Sequence, residues 1–342
     1  MMKRDLGLTS KGEVTKVFTL KNEKGMQVNV SDLGATLLDL YVPDKNGEIR
    51  DVILGFETAV EYEESGTFFG SAVGRVANRT GNASFVLNGK EYKMAKNDSE
   101  NNLHSGPDCW KNRVWDVKSV SESEIVFLLH SPDGDQGFPG ALDMEVAYTL
   151  TEDNELKIHY YSVPDADTII SMTNHAYFNL NGHESGDFLA QEVWMDADAY
   201  TRADAESIVT GEIISVEGTP MDFRAKKTIG KDIEEEYEAL IFGNGYDHNW
   251  CLNGTGYRKV AEMTAKESGI TMEVYTDKPG VQMYTGNFID GETGKGDVIY
   301  KKRQGVCFET QLYPNAINKD NFQKPIVKAG EVYESTTAYK FL

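Results

Sequence analysis

Proton transfer is the chemistry that two residues of this chain could perform, given where they stand. His175 is one of only six histidines in 342 residues. It occurs in "DTIISMTNHAYFNL" (167–180), a stretch rich in β-branched and aromatic residues that reads as a largely buried strand. A histidine there is either a core residue with both nitrogens satisfied or a proton donor held in a pocket. Glu309 lies between Phe308 and Thr310 in "RQGVCFETQLYPNA" (303–316). Burying a carboxylate without a partner is costly, so an edge strand, a salt bridge with Arg79, or use in proton transfer must account for it.

Further polar clusters stand in apolar or glycine-rich surroundings. "GRVANRTGNASF" (74–85) carries Asn78 and Arg79, and "NNLHSG" (101–106) carries His104 in a turn-rich segment. "YDHNWCL" (246–252) holds Asp247, which beside His248 could be simple turn chemistry, and "GVQMYTGNF" (280–288) holds Gln282 and Tyr284. Alternation along a strand puts Cys307, Glu309 and Gln311 on one face, with Val306 and Phe308 on the other. It groups Gln282 with Tyr284, and Thr173 with His175 and Tyr177. Each strand would then carry a core face and a face suited to a polar pocket. His130, His159 and His183 are read as core or surface residues without a role.

Other chemistries find little support. The histidines lack HxxxH or HxH spacing, and no Cys/His pairing resembles a zinc site. No GxSxG elbow is present for a serine nucleophile. No P-loop or GxGxxG follows a strand, so neither a metal nor a nucleotide cofactor is expected.

The elements that must position these residues read as strands. "SFVLNGKEYKM" (84–94) is the clearest hairpin, with Asn88-Gly89 at a type I′ turn. "ALDMEVAYTLTEDNELKIHYYSV" (141–163) alternates, turns at "EDN" and alternates again. "GITMEVYTDKPGVQMYTGNF" (269–288) reads as a further hairpin around Pro-Gly, and "GEVYESTTAYKF" (330–341) as a closing strand. The best helix candidate is "KDIEEEYEAL" (231–240). Frequent strands with turn signals between them predict an all-β antiparallel sandwich, and residues 1–342 read as a single domain. Seventeen tyrosines, fifteen phenylalanines and 32 glycines agree with strands and turns.

The net charge of −21 lacks the basic stripe that nucleic-acid binding needs and disfavours polyanionic ligands. A neutral small molecule fits better. No run of about 18 apolar residues could span a membrane as a helix, and "MMKRDLGLTSKGEV" has no apolar stretch of the signal-peptide kind. Three scattered cysteines, Cys109, Cys251 and Cys307, suggest a reducing compartment, hence a cytoplasmic location.

Taken together and in order, "GRVANRTGNASF", "NNLHSG", "TNHAYFNLNG", "YDHNWCL", "GVQMYTGNF" and "FETQLYPNAIN" closely resemble the aldose 1-epimerase family, the galactose mutarotases. The resemblance runs from about residue 10 to the C-terminus. It implies a large antiparallel β-sandwich of the mutarotase type, with the sugar in an open groove. It also implies cofactor-free interconversion of the α and β anomers of a free aldose such as galactose or glucose. By the family motifs His175 would be the general acid, Glu309 the general base, and His104 an assistant at the ring oxygen. Asn78, Arg79 and Asp247 would bind hydroxyls, and Gln282 and Tyr284 would line the pocket. The chain departs from the family after His104. Where many relatives continue with "GG" and a "GFD" stretch, it reads "SGPDCWKNRVW", in a loop (105–115) expected to border the groove. The family also contains relatives acting on phosphorylated hexoses and disaccharides. Monomer and homodimer both stay open. A non-catalytic sugar-binding module would not need both Glu309 and His175. A glycosidase would need Asp247 and Glu309 to flank a glycosidic bond.

Overall fold

A computed structural model describes residues 5–342; Met1 to Arg4, the start of the stretch weighed as a signal peptide, lie outside it. Strands dominate, and the two α-helices among the described residues, Ala59–Glu64 and Glu238–Gly243, are short. No described helix is long and apolar enough to cross a membrane.

Two large antiparallel sheets face each other. The nine-stranded sheet is built around Leu142–Leu150, Glu155–Ser162, Tyr333–Phe341, Thr271–Thr276 and Arg258–Thr264, in that spatial order. The six-stranded sheet runs in the order Tyr177–Phe178, Val306–Gln311, Gly280–Tyr284, Asp247–Leu252, Ala197–Ala203, Val209–Ser215. A four-stranded sheet, Val17–Asp51, flanks them.

Alternation explains how they pack. Val281, Met283, Val306, Phe308 and Trp250 leave the six-stranded sheet on one face and join Met272, Val274 and Tyr339 of the other sheet in the main core. The Tyr339 hydroxyl donates to the Phe308 carbonyl at 3.0 Å, and its ring lies 4.7 Å from that of Phe178. With this face committed to the core, Cys307, Glu309, Gln282 and Tyr284 must point the other way.

The hairpin expected at 84–94 forms: Ser84–Leu87 pairs with Lys90–Lys93, and Asn88 (φ 52°) and Gly89 (φ 77°) take the positive angles of a type I′ turn. The hairpin at 141–163 forms as Leu142–Leu150 with Glu155–Ser162. The expected closing strand lies inside the nine-stranded sheet, between Glu155–Ser162 and Thr271–Thr276.

Three local readings are corrected. Thr271–Thr276 and Gly280–Tyr284 do not pair with each other. Pro279-Gly280 carries the chain from the nine-stranded sheet to the six-stranded one, where Gly280–Tyr284 is buried throughout and needs neighbours on both sides. The helix expected over 231–240 forms only as a 3₁₀ turn at Ile229–Lys231 and a helix at Glu238–Gly243. Three successive acidic residues, 234–236, with only Ile233 buried near them, give that segment no apolar stripe to dock.

The third concerns 167–180, which is not one strand. Thr173–Asn174 pairs with Ala72–Val73, Tyr177–Phe178 pairs with Val306–Cys307, and His175 lies in the break between. The Asn174 side chain supports the break. Its Oδ1 accepts from Ala176 N–H at 3.1 Å, and its Nδ2 donates to the Gly70 carbonyl at 2.8 Å. The His175 carbonyl accepts from Gly70 N–H at 2.9 Å, and its N–H donates to the Ser71 carbonyl at 3.0 Å.

Gly70 sits at φ 67°, and a Cβ there would overlap the Leu37 carbonyl oxygen. Gly70→Ala is therefore expected to cost about 2 kcal/mol or more through positive φ and overlap and to displace His175. Urea denaturation measures the first, and turnover of the folded fraction the second.

Candidate active site

The polar face of the six-stranded sheet forms the floor of a cavity of about 290 Å³, at the small end of the range for small-molecule sites. Strand register assembles that floor. Tyr177 stands opposite Cys307, Cys307 opposite Tyr284, and Tyr284 opposite Asp247. Gln282 stands opposite both Glu309 and Asn249. The far wall comes from the segment 66–79 and the paired strands Arg79–Thr80 and Asn102–Leu103.

Of the eight residues selected from the sequence, seven line this cavity: Asn78, Arg79, His104, His175, Asp247, Tyr284 and Glu309. Gln282 does not. It stands one step back, where its Nε2 donates to Asp247 Oδ1 at 2.7 Å, and its own Oε1 accepts weakly from Gln311 at 3.4 Å. Through that bond Gln282 braces a pocket carboxylate, Asp247, which does line the cavity.

Glu309 and His175 meet at the centre. Glu309 Oε1 is 3.6 Å from His175 Nε2, and both residues are buried. Glu309 Oε2 is buried and has no hydrogen-bond partner among the described residues. Burial, then the negative charge of Asp247, raises the Glu309 carboxyl well above its ordinary range, with Arg79 opposing. Burial pulls His175 down to about 4. Both effects favour the neutral pair, so only mutual attraction and a bound ligand can sustain the charged one.

His104 completes the cluster. Burial, followed by the charges of His175 and Arg79, depresses its imidazole well below the usual histidine value. The ligand atoms of His104, His175 and Glu309 lie within 4.8 Å of one another. That inventory could suit a cation. However, Nδ1 of His104 accepts the Asn78 backbone N–H at 3.1 Å; a neutral ring then carries its proton on Nε2 and has no free lone pair to give a metal.

Arg79 is not the ionic partner of Glu309. Its Nε donates to Asp98 Oδ2 at 2.7 Å, so its ionic partner is Asp98 and not Glu309. Asp247 is the first residue of a strand rather than turn chemistry. His130 and His159 pair with Asp143 and Glu334 near the surface, and His183 bonds Tyr300; none lines the cavity.

Sequence reasoning missed Phe68 and Phe288. Phe68, at φ 59°, walls the cavity with its ring 4.8 Å from that of His104 and 5.9 Å from that of His175. Nothing in "TFFG" separates it from its buried neighbour Phe69; the turn at Gly70 does. Phe288 is 64% exposed at the rim. Tyr177, grouped with His175 by alternation, does line the cavity, whereas Thr173 is buried away from it. The loop 105–115 contributes no lining residue. Its two tryptophans, Trp110 and Trp115, turn into the core. Lys111 Nζ donates to the Tyr62 and Glu63 carbonyls and lies 5.4 Å from the Phe68 ring, so the loop props the wall from behind.

Because the Arg79–Asp98 pair is partly exposed, it contributes about 0–1 kcal/mol to stability. Arg79→Ala should leave the melting temperature nearly unchanged while weakening ligand binding in the cavity. Calorimetric titration beside a melting curve separates the two, and a marked loss of stability would assign Arg79 a structural role instead.

Comparison with known proteins agrees with this layout. The family profile described as aldose 1-epimerase matches residues 16–340. Galactose mutarotase from Bos taurus is 41% identical over 332 residues, spanning 96% of this chain and 94% of the relative. Aldose 1-epimerase from Escherichia coli is 33% identical over 347 residues, spanning 100% and 99%. Among solved structures, an aldose epimerase homologue from C. elegans superposes with a TM-score of 0.90 at 30% identity, covering 96% of this chain and 99% of that one. Galactose 1-epimerase from Lactobacillus acidophilus gives 0.85 at 27% identity, covering 97% and 96%. With the sandwich, the cavity and these similarities in agreement over nearly the whole length, the chain belongs to the aldose 1-epimerase family and is a carbohydrate epimerase of that kind.

Proposed function

We propose that the substrates are free aldohexoses such as galactose or glucose, and that Glu309 and His175 carry the two proton transfers. The observation that carries this reading is the Glu309 carboxylate: buried, with one oxygen unpartnered, and facing an imidazole nitrogen 3.6 Å away. A group left this way is costly to the fold and useful only to a ligand that brings the missing hydrogen.

In ring opening Glu309 takes the proton of the C1 hydroxyl. The C1–O1 bond becomes a carbonyl, the C1–O5 bond breaks, and O5 takes the proton of His175 Nε2. Rotation about C1–C2 presents the other carbonyl face. On reclosure O5 attacks C1 and returns its proton to His175, while the new hydroxyl recovers its proton from Glu309. One proton thus passes from imidazolium to carboxylate through the sugar and back, and nothing is consumed. The neutral pair that burial favours is the state of the pair while the sugar is open. A positioned acid and base typically contribute about 10² to 10⁴ in rate.

Asn78, Arg79 and Asp247 offer hydroxyl partners, with Gln282 holding Asp247 and Tyr284 forming part of the floor. Among the described residues Arg79 is the only lysine or arginine lining the cavity, against the carboxylates Asp247, Glu292 and Glu309. That balance favours an uncharged sugar over a phosphorylated one. A core drawn from both large sheets supports reading the chain as one domain.

Polarimetry on a pure anomer tests the assignment. Glu309→Gln should lower the rate by about 10² or more with sugar affinity little changed; near-normal turnover would place the base elsewhere. The same substitution should raise stability at neutral pH. A carboxyl whose folded pKa lies above its unfolded value binds more protons folded, so stability falls as pH rises through that window. Gln removes this loss. The gain should vanish below about pH 4, near the unfolded carboxyl value. In the wild type, activity should fall with decreasing pH at a midpoint above the ordinary glutamate range.

A further inference from the structure

The two imidazoles of the site differ in what meets Nδ1. At His104 it is a main-chain N–H, that of Asn78, at 3.1 Å. At His175 it is the Cys307 sulfur, at 3.4 Å. A peptide N–H can only donate, whereas a thiol can donate or accept.

The Asn78 contact is built into the backbone. Asn78 (φ 60°) and His104 (φ 52°) both take left-handed angles, which asparagine and histidine adopt more readily than most residues. The His104 N–H donates to the Asn78 carbonyl at 3.0 Å, so the two residues grip each other twice. Asn78 Oδ1 accepts from Arg79 N–H at 2.7 Å, and Arg79 pairs with Leu103 across the adjoining strands. The ring is thereby fixed from its own backbone and from the opposite strand.

We infer that His104 is a permanently neutral Nε2–H hydrogen-bond donor to the sugar, locked in that tautomer by the Asn78 main-chain amide, and that His175 alone exchanges a proton. Protonating His104 would set Nδ1–H against Asn78 N–H and sacrifice that hydrogen bond. Its surroundings also oppose a positive charge: the ring is buried beside Phe68 and His175, with the Arg79 cation near. Glu309, near both rings, is the countercharge that could oppose this. His175 faces Glu309 at Nε2 and is flanked by Tyr177 and Tyr284. Its Nδ1 meets the thiol, which can donate or accept. That nitrogen can therefore hold a proton or go without. Asn78 acts here as a positioning residue through its backbone, apart from any contact its side chain makes with substrate.

What the His104 hydrogen does for the sugar rests on the site reading above; the tautomer does not. Long-range proton–nitrogen correlation spectra of the full chain with ¹⁵N-labelled histidine, recorded from about pH 5 to 9 across the ordinary histidine range, read it directly. The His104 signals are identified by their loss in His104→Gln. The expected spectrum has bare Nδ1 and protonated Nε2, unchanged with pH. A titrating ring, or a proton on Nδ1, would overturn the inference.

Turnover gives the second readout. Gln places an amide donor near the position of Nε2 but cannot shuttle a proton. His104→Gln should stay within about tenfold of wild type, the scale of one altered hydrogen bond, while His104→Leu should lose about 10² and His175→Gln at least as much. If His104→Gln is as slow as His104→Leu, His104 transfers protons and the inference fails. If instead His175→Gln and Glu309→Gln both turn over normally, the site reading fails while the wild-type spectrum still decides the tautomer.

Discussion

A carboxylate held in the core beside an imidazole, with one oxygen unpartnered among the described residues, is the constraint around which this protein is arranged. Glu309 has the burial of a core residue and the chemistry of a surface one. It stays there because its neighbours in the strand, Phe308 and Val306, are pinned to the opposite sheet, and alternation leaves Glu309 no other direction. The sandwich core thus does more than stabilise. It forces the polar face of Val306–Gln311 toward a cavity, while the nearby cation, Arg79, pairs with Asp98. Had Arg79 closed on Glu309, the carboxylate would have been satisfied within the fold and unavailable to a ligand.

The same logic explains the break at His175. A continuous strand from 167 to 180 would have kept His175 in one ladder, with its direction set by a single sheet. Instead the chain leaves its pairing with Ala72–Val73 at Asn174 and joins Val306–Cys307 at Tyr177, with His175 and Ala176 between. His175 is held at that crossing by main-chain bonds to Gly70 and Ser71. His175 is fixed by the wall and Glu309 by the floor. Their separation depends on how the two sheets meet, and Gly70 is needed because only a residue without Cβ fits against Leu37 there.

Much of this was legible before any coordinates, for a specific reason. Period-two alternation is unambiguous where one face is apolar and the other polar, so the faces of 280–284 and 306–311 could be assigned from types alone, and Asn88-Gly89 announced its own turn. What alternation does not carry is pairing. "GITMEVYTDKPGVQMYTGNF" alternates on both sides of Pro-Gly as a hairpin would, yet its halves serve different sheets. Gln282 was placed on the correct face but not at the correct depth, since alternation says nothing of the side-chain bond by which it serves Asp247 instead of the cavity. Phe68 was invisible because its role comes from a left-handed backbone angle, not from its type. The unusual loop after His104 was legible as unusual, but its tryptophans belong to the core, and it props the cavity wall from behind through Lys111 and Phe68.

Two histidines in one pocket invite the assumption that they do similar work, and the main chain argues otherwise. The motif residues around His104 and His175 say only that imidazoles are present. Which nitrogen carries the proton depends on the atom behind each ring, and those atoms, a peptide N–H and a thiol, come from segments remote in sequence. A reversible epimerase needs one group that can return the proton it gave. It also gains from a second that stabilises charge on the ring oxygen without competing for that proton. Two equally basic imidazoles would allow the proton to settle on the wrong one. Fixing one ring with a donor that cannot become an acceptor removes that ambiguity, and a rigid backbone contact does this without a further side chain in the core.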